Sequence, residues 1–511
     1  MANNPSQTSA TSQAIAVMSA YGTLGGSPEW HQLNPTDISG VLAATTDAAH
    51  DTIDPSNQYE AGSIVGLEAK PRIAAGFTYQ LANILLPIAM RTQWTPLIAA
   101  TSGPRALDAT AVRPTSATSA HYVHPSITTA LPTSTLVKVT GCATTANNGV
   151  KVVSGVPSAT NTPVSGGLTA ETFTAPQNVT LEVCGFQFSS GDATITVSGS
   201  TITLGTTTKD LTELGLVTGQ PIFIGDSSAA AYSFATAASN GPARVLTIAT
   251  NAITLDSTFT TFVTDAGTSK TIRIFFGQSC RIVPRTSANY VESYYQTETS
   301  VENLGSANAT RYLYSENTGL DVLTIAAPSA ALATLTADAM ATDVTDTDTQ
   351  RTNASTPTLP KRTIAYNTTT DISGRLFLSS DGTALTGYVQ AATITIENQA
   401  TANPAHGVLG SAITSFGKIR VKLSMTVILT ESGIISAARN NYEVKGNVWL
   451  RNADGAIVFD IPSARLKTPA ASFPRNQVIT IDAEMTANKD TTWSTSLIAS
   501  KIPGCPALPT R

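Results

Sequence analysis

Strict alternation of apolar and polar positions is the strongest pattern in the second half of the chain. In KIRVKLSMTVIL (418–429), every second residue from Ile419 to Val427 is apolar, and the residues between them are Arg, Lys, Ser and Thr. A period of two places all the apolar side chains on one face of a strand. The stretch therefore predicts a long strand with one buried face and one wet face.

Further alternating runs predict strands along most of the chain. The longer ones lie after residue 285, at 290–303, 311–326, 388–397, 443–450, 456–461 and 477–486. Shorter runs fill 103–288 and are separated by turn signals such as NNG (147–149), SGD (190–192) and SNG (239–241). These patterns predict a mainly β protein.

Helical periodicity is confined to short stretches. YQLANILLPIAMRTQW (79–94) predicts a helix that Pro87 kinks or splits, and GIISAARN (433–440) predicts a second, short one. The preceding stretch 62–74 predicts a single strand.

The composition favours a surface that contacts copies of itself. Charged residues make up 13% of the 511-residue chain, about half the roughly 25% of an ordinary soluble domain. Ser and Thr are abundant, and the net charge of −5 gives the whole chain no nucleic-acid-binding signature. A monomer would normally use more charge to stay apart from its neighbours.

Changes in strand length and composition divide the chain. Residues 1–20 are expected to be a disordered extension, 21–102 and 286–500 to form one domain, and 501–511 to be an extended tail. Residues 103–285 are expected to be an inserted, surface-exposed all-β domain or pair of domains, and a short linker is expected to be able to replace residues 130–285. Segments 1–40 and 340–362 have the composition of extensions that become ordered on assembly.

Residues that could carry chemistry are few. His121 and His124 in HYVHP have no third ligand nearby, and their spacing in an extended segment puts the rings on opposite faces. The run with Asp343, Asp346 and Asp348 lacks the turn Gly and the closing Glu of a calcium loop. No nucleophile elbow or phosphate-binding loop occurs. The sequence therefore predicts no catalytic residue, no metal and no cofactor, and disfavours an enzyme.

Signals for export and membrane insertion are lacking. The polar start MANNPSQTSATSQ is unlike a secretory signal, and the most apolar stretch, 81–90, is shorter than the roughly 20 residues that cross a bilayer. Cys142, Cys184, Cys280 and Cys505 are widely spaced, although a pairing such as Cys142 with Cys184 stays open. We expect a soluble protein made in a cytoplasm.

The order of several segments is similar to that of a known family. YGTLGGSPEWHQLNPTDISG (21–40) and GLEAKPRIAAGFTYQLANILLPIAMRTQW (66–94) resemble the opening blocks of the major tail proteins, or tail tube proteins, of long non-contractile-tailed bacteriophages. Residues 215–225, with the strands after them, resemble a small β insert of that family. VFDIPSARL (458–466) and VITIDAEMTANKD (478–490) resemble its closing blocks. The region 103–190 is longer than the family's pattern needs.

The resemblance implies a fold, a function and a set of partners. It implies a tail-tube β-sandwich or barrel with one short helix, interrupted by the insert. Copies would form rings, hexameric or as trimers of double domains, stacked into a tube through which DNA passes into the host without specific binding. The implied partners are the chain itself, the tape-measure protein, and the tail terminator and distal tail proteins. The implied location is the virion, after assembly in the host cytoplasm.

Three carboxylates are candidates for the lumen of such a tube. In the predicted strand 290–303, Glu292, Glu298 and Glu302 share one face. They cannot be buried unpaired, and negative charge in a lumen would repel DNA phosphates. The alternative pairs them with Lys418, Arg420 and Lys422, within or between subunits.

Other classes of protein share these features. A surface adhesin or glycan-binding β-protein would also have Thr- and Ser-rich strands and no catalytic constellation, although it would need export. A capsid or decoration protein is a further alternative.

Overall fold

The computed structural model describes most of the chain, and every structural statement below concerns these residues. They are 11–18, 21–24, 30–50, 60–95, 99–100, 103–104, 115–124, 131–158, 160–173, 179–226, 230–259, 262–302, 310–351, 365–370, 372–378, 385, 388–428, 433–467, 470–472 and 478–506. Antiparallel strands dominate, so the prediction of a mainly β protein is confirmed.

Strands and helices follow one another along the chain in three groups. The first group is β1 (Thr11–Val17), β2 (Trp30–Leu33), β3 (Pro35–Ser39), β4 (Ala44–His50), β5 (Glu60–Glu68), β6 (Arg72–Gly76) and α1 (Tyr79–Met90). The second group is β7 (Ala99–Ala100), β8 (Gly103–Pro104), β9 (Ser116–Ala117), β10 (His121–Val123), β11 (Thr135–Thr140), β12 (Gly149–Val152), β13 (Asn161–Pro163), β14 (Glu171–Thr172), β15 (Thr180–Gln187), β16 (Thr194–Ser198), β17 (Thr201–Gly205), β18 (Pro221–Ile224), β19 (Gly241–Ala249), β20 (Ala252–Leu255) and β21 (Arg273–Phe275).

The third group completes the chain. It is β22 (Gln278–Arg281), β23 (Tyr295–Glu302), β24 (Thr310–Ala327), β25 (Thr334–Met340), β26 (Asp343–Thr347), β27 (Ile372–Leu378), β28 (Tyr388–Glu397), β29 (Ala400–Pro404), β30 (Ser411–Phe416), β31 (Arg420–Ile428), α2 (Gly433–Arg439), β32 (Glu443–Arg451), β33 (Gly455–Leu466), β34 (Ala470–Ser472), β35 (Thr480–Ala487) and β36 (Ile498–Pro503).

Two sheets and two helices enclose the main hydrophobic core. The large sheet has the strand order β3–β6–β25–β24–β28–β31–β35–β34. The second sheet has the order β27–β32–β33–β36–β22. Buried side chains of both sheets, α1 and α2 form one cluster. We call this part of the molecule the body.

The long strand β24 belongs to two sheets. Its second half lies in the large sheet, and its first half joins an N-terminal sheet of order β2–β1–β23–β24–β26. Two hairpins, β4–β5 and β29–β30, leave the large sheet at the same end. They are joined where Leu67 N donates to the Leu409 carbonyl at 3.0 Å.

Residues 115–276 form a separate arrangement that we call the module. Its strands make a sheet of order β12–β11–β15–β21–β18–β19–β20–β17–β16 and a smaller one of order β13–β10–β9–β14. Two hydrophobic clusters lie within the module. Strand β22, which the change in strand length placed with the insert, pairs with β36 of the body instead.

Local sequence explains the best-defined elements. Burial alternates along β31, where Val421, Leu423 and Met425 are buried and the residues between them are not. Helix α1 begins after Thr78, whose side chain accepts from Leu81 N at 3.3 Å. It ends at Arg91, which adopts a left-handed conformation (φ 49°).

Three predicted elements differ from the structure. The helix predicted over 79–94 ends at Met90 and is not split by Pro87. The strand predicted over 62–74 is two strands, β5 and β6, separated by a turn containing Pro71, which has no N–H for a sheet ladder. The strand predicted over 290–303 begins at Tyr295, because the preceding backbone bonds to the end of α1 through Val291 N and the Arg91 carbonyl, 3.1 Å apart.

Parts of the predicted extensions are ordered strands. Within 1–20, β1 lies between β2 and β23, where Ile15 and Ala16 are fully buried. Within 340–362, β26 pairs with β24. The predicted C-terminal tail begins inside β36. Sheet pairing on both sides of β1 explains its order despite its polar sequence.

Candidate assembly surfaces

The outward face of the large sheet is a broad polar surface. Residues directly opposite one another on neighbouring strands form a row, which consists of Thr336, Thr324, Thr395, Lys422 and Thr486. All five are partly exposed, whereas their strand neighbours point into the main core. The sequence pattern predicted such a two-faced strand at β31, but not which strands lie beside it.

Several charges on this face stand opposite partners of the other sign. Arg72 Nε lies 3.3 Å from Asp338 Oδ1 across β6 and β25. Glu397 on β28 pairs with Lys422 and lies 4.0 Å from Arg420. Further along, Lys467 and Glu484 are 2.5 Å apart. Such exposed pairs add little stability, but they leave a surface with little net attraction for a polyanion.

The three lumen candidates do not share one strand face. Glu298 lies on β23 and accepts hydrogen bonds from Tyr314 Oη (2.7 Å) and Gln350 Nε2 (3.0 Å). Glu292 precedes the strand, where it accepts from Tyr290 Oη at 2.5 Å. Glu302 ends β23 opposite Thr310, and its side chain lies outside the described residues.

Two of the three alternative partners of these carboxylates are engaged elsewhere within the chain. Arg420 and Lys422 both face Glu397. Glu292 lies 3.4 Å from Arg285 instead. The assignment of Glu292, Glu298 and Glu302 to a lumen stays a prediction.

The β4–β5 ribbon is exposed on both of its faces. All side chains from Ala44 to Ala48 are exposed, as are Ile64 (52%) and Val65 (57%) on the partner strand. Adjacent residues of a strand point to opposite faces, so both faces of the ribbon are exposed over residues 44–48 and 63–65, where the structure describes the side chains. Neither strand pairs with any third strand among the described residues. A two-stranded ribbon of this kind is marginally stable in water by itself.

Apolar side chains and negative charge accompany the ribbon. Exposed apolar residues continue at its base and on the adjoining hairpin, at Leu42, Val408, Leu409 and Ile413. Residues 1–69 contain seven Asp or Glu residues and no Lys or Arg. A surface that covers the ribbon would therefore be partly apolar and not acidic.

The residues weighed as metal ligands have other partners. His121 Nδ1 lies 3.2 Å from Thr118 Oγ1, and His124 Nε2 lies 2.9 Å from Thr162 Oγ1. Asp346 pairs with Arg311 across β26 and β24. Within the described residues, no group of three His, Cys, Asp or Glu side chains is placed to hold a metal ion.

A cavity of about 310 Å³ beside the N-terminal sheet contains a carboxylate–guanidinium pair, Glu316 and Arg351. Glu316 also accepts from Gln296 Nε2 (2.8 Å) and from Thr345 Oγ1 (3.0 Å). Because both oxygens are occupied by donors, this carboxylate is poorly placed to act as a general base.

Comparison with known proteins adds no relative. No protein-family model matches the chain, and no curated protein has a significantly similar sequence. Among the helices that the structure describes, none has the length and apolar character needed to span a bilayer. Two surfaces of the molecule bear on its function, the outward face of the large sheet and the β4–β5 ribbon.

Proposed function

We propose that the chain is a structural virion protein that polymerises as stacked rings into the tail tube of a long non-contractile-tailed bacteriophage. The observation that supports this most strongly is the β4–β5 ribbon, which is apolar in part and exposed on both faces over residues 44–48 and 63–65. Within the described residues its strands pair with no third strand, and exposed ribbons of this kind favour pairing with another chain. In a stack of rings, a neighbouring copy would cover the ribbon and its edges.

The large sheet suits the wall of a conduit. Its inner face belongs to the main core, and its outer face is rich in threonine with charges in opposed pairs. A DNA duplex would find few unpaired basic groups there to bind its phosphates. Under this proposal the face lines the lumen, and the partners are the chain itself, the tape-measure protein, and the tail terminator and distal tail proteins.

Replacing two exposed apolar residues of the ribbon by aspartate tests the proposal. In the double variant Ile64→Asp/Val65→Asp, both exposed side chains become charged, which should change folding stability by no more than roughly 0.5 kcal/mol each. We expect the wild-type protein to sediment as large assemblies and the folded variant to remain small. Val156→Asp, at a 91% exposed valine of the module, is the matched control and should assemble like the wild type.

The outcomes separate the proposal from its alternatives. Normal assembly of the folded ribbon variant would contradict a role for the ribbon in self-association. A wild-type protein that stays monomeric and binds glycans would favour an adhesin, and closed shells would favour a capsid protein.

A further inference from the structure

The module and the body meet across an interface with a buried apolar cluster. One buried cluster contains side chains from both, namely Leu136, Cys184, Phe223, Phe259 and Phe275 of the module with Trp449, Ala456, Val458, Ile502 and Cys505 of the body. Burial of such side chains away from water stabilises their contact in proportion to the apolar area covered. The module is thus more than a tethered appendage.

A buried charge cluster lies at this interface. Arg244 of β19 is 0% exposed, and its guanidinium lies 2.5 Å from Asp256 Oδ2 in the module and 2.7 Å from Asp460 Oδ2 in the body. Lys445 of the body lies 4.0 Å from the same Asp256 oxygen. Asp460 is itself only 1% exposed, and this burial raises the pKa of its carboxyl. Arg244 therefore pairs with a carboxylate on each side of the interface.

Aromatic rings complete the surroundings of Arg244. Its guanidinium carbon lies 5.1 Å from the ring centre of Phe259 in the module and 5.7 Å from that of Trp493 in the body. Both distances are within the range of cation–π attraction. Replacing Arg244 would therefore remove contacts to both partners at once.

Two glycines allow the surfaces to approach closely. At Gly219 of the module (φ +83°), an added Cβ would lie 2.9 Å from Trp493 Cε3 of the body. At Gly504 of the body (φ +68°), it would lie 2.8 Å from Val150 Cγ2 of the module. Larger side chains would hold the two surfaces apart at both points.

We infer that the module and the body form one cooperative folding unit, and that Arg244 is the residue that couples their unfolding. This replaces the expectation that a short linker can stand in for the insert. Deleting the module would expose Trp449, Val458 and Ile502 and remove the cation that pairs with Asp460. The inference is independent of the proposed tube function, because it concerns the single chain.

Amide hydrogen exchange of the full-length protein tests this coupling. Arg273→Met removes an ion pair wholly within the module, where Arg273 NH1 lies 3.2 Å from Asp226 Oδ2. If the chain is one unit, the slowest amides of β19 in the module and of β33 in the body accelerate by the same factor, at least about tenfold. Acceleration confined to the module would overturn the inference.

The role of Arg244 is tested in the same assay. Arg244→Met should accelerate exchange in both parts and uncouple them, so that adding Arg273→Met then affects the module alone. Asp460→Asn keeps the size of the side chain and serves if Arg244→Met does not fold; the same uncoupling is expected. If, in either variant background, Arg273→Met still accelerates amide exchange equally in the module and the body, Arg244 does not couple them and the inference fails.

Discussion

The indole Nε1 of Trp94 donates a hydrogen bond of 2.9 Å to the backbone carbonyl of Asn83. In an uninterrupted helix this carbonyl would accept from the amide of residue 87, but Pro87 has no N–H. Lys501 closes the same site, since its Nζ donates to Asn83 Oδ1 at 2.6 Å and lies 5.2 Å from the centre of the Trp94 ring. These contacts explain why α1 continues past its proline.

Replacing the indole donor should therefore destabilise the fold in a way that depends on Pro87. Trp94→Phe leaves the carbonyl of the half-buried Asn83 without its donor, which should cost about 1–2 kcal/mol. In a Pro87→Ala background the backbone N–H returns, and the cost of Trp94→Phe should fall by about 1 kcal/mol. Denaturant unfolding measures both, and equal costs in the two backgrounds would contradict the substitution of one bond for the other.

The two faces of β31 should respond very differently to truncation. Met425 is fully buried in the main core, and Met425→Ala should cost about 2–5 kcal/mol of unfolding free energy. Lys422 lies on the outward face, and Lys422→Ala should lower the unfolding free energy by less than about 1 kcal/mol, since its partner Glu397 is itself partly exposed. Comparable losses at the two positions would mean that the outward face is covered within the single chain.

Asp192 in the module should make the folding stability depend on pH. Asp192 accepts hydrogen bonds from Thr206, Thr207 and Thr208 at 2.6–2.8 Å. Burial acts to raise its pKa, but these bonds outweigh it and hold the pKa below the usual 3.8. The ionised Asp192 therefore stabilises the folded state fully at pH values above the pKa that this carboxyl has in the unfolded chain. This stabilisation is lost as the pH falls through the lower pKa of the folded state.

Asp192→Asn should accordingly cost roughly 2 kcal/mol near pH 6. The gap between wild type and variant should narrow below about pH 4, as the wild-type carboxyl protonates. Urea unfolding at a series of pH values measures it. A gap that is constant down to pH 2, or that widens on acidification, would show that the ionised carboxylate is not what stabilises this turn.

The four cysteines should be unreactive in the native protein. All are free and buried, so the suggested Cys142–Cys184 disulfide does not form. Burial raises the pKa of Cys142 and Cys505 to about 12 and raises the pKa values of Cys184 and Cys280 as well. A water-soluble thiol reagent at pH 8 should label none of them until denaturant is added, because the thiolate is the reactive form. Prompt labelling of the native protein would contradict this burial.

Positive charge on the outward face of the large sheet should interfere with DNA passage. Thr324→Lys/Thr395→Lys adds two unpaired basic groups to neighbouring strands and should leave folding and tail assembly intact. Phage tails with this variant should deliver DNA more slowly, and added salt should relieve the defect. If tails with the lysine variant delivered DNA at the wild-type rate, this face would lie outside the lumen. Charge reversal at Glu292 and Glu298 would then be the next test.

Sequence patterns predicted the β class because period-two alternation reflects local geometry, as in β31, where each buried position was identified in advance. They misplaced the start of β23 because its beginning is set by a distant contact, Val291 N to the Arg91 carbonyl. They likewise missed the ion pair between Arg244 and Asp460, because these residues are 216 positions apart in sequence. The polar face of the large sheet was visible strand by strand, but strand order depends on tertiary pairing that no local pattern encodes.

Electron microscopy of the purified protein tests directly whether copies of the chain polymerise into a tube. We expect rings or hollow tubes with an open central channel, because a neighbouring copy would cover the exposed β4–β5 ribbon. A protein that remains strictly monomeric at high concentration, even with tail initiation proteins added, would contradict it.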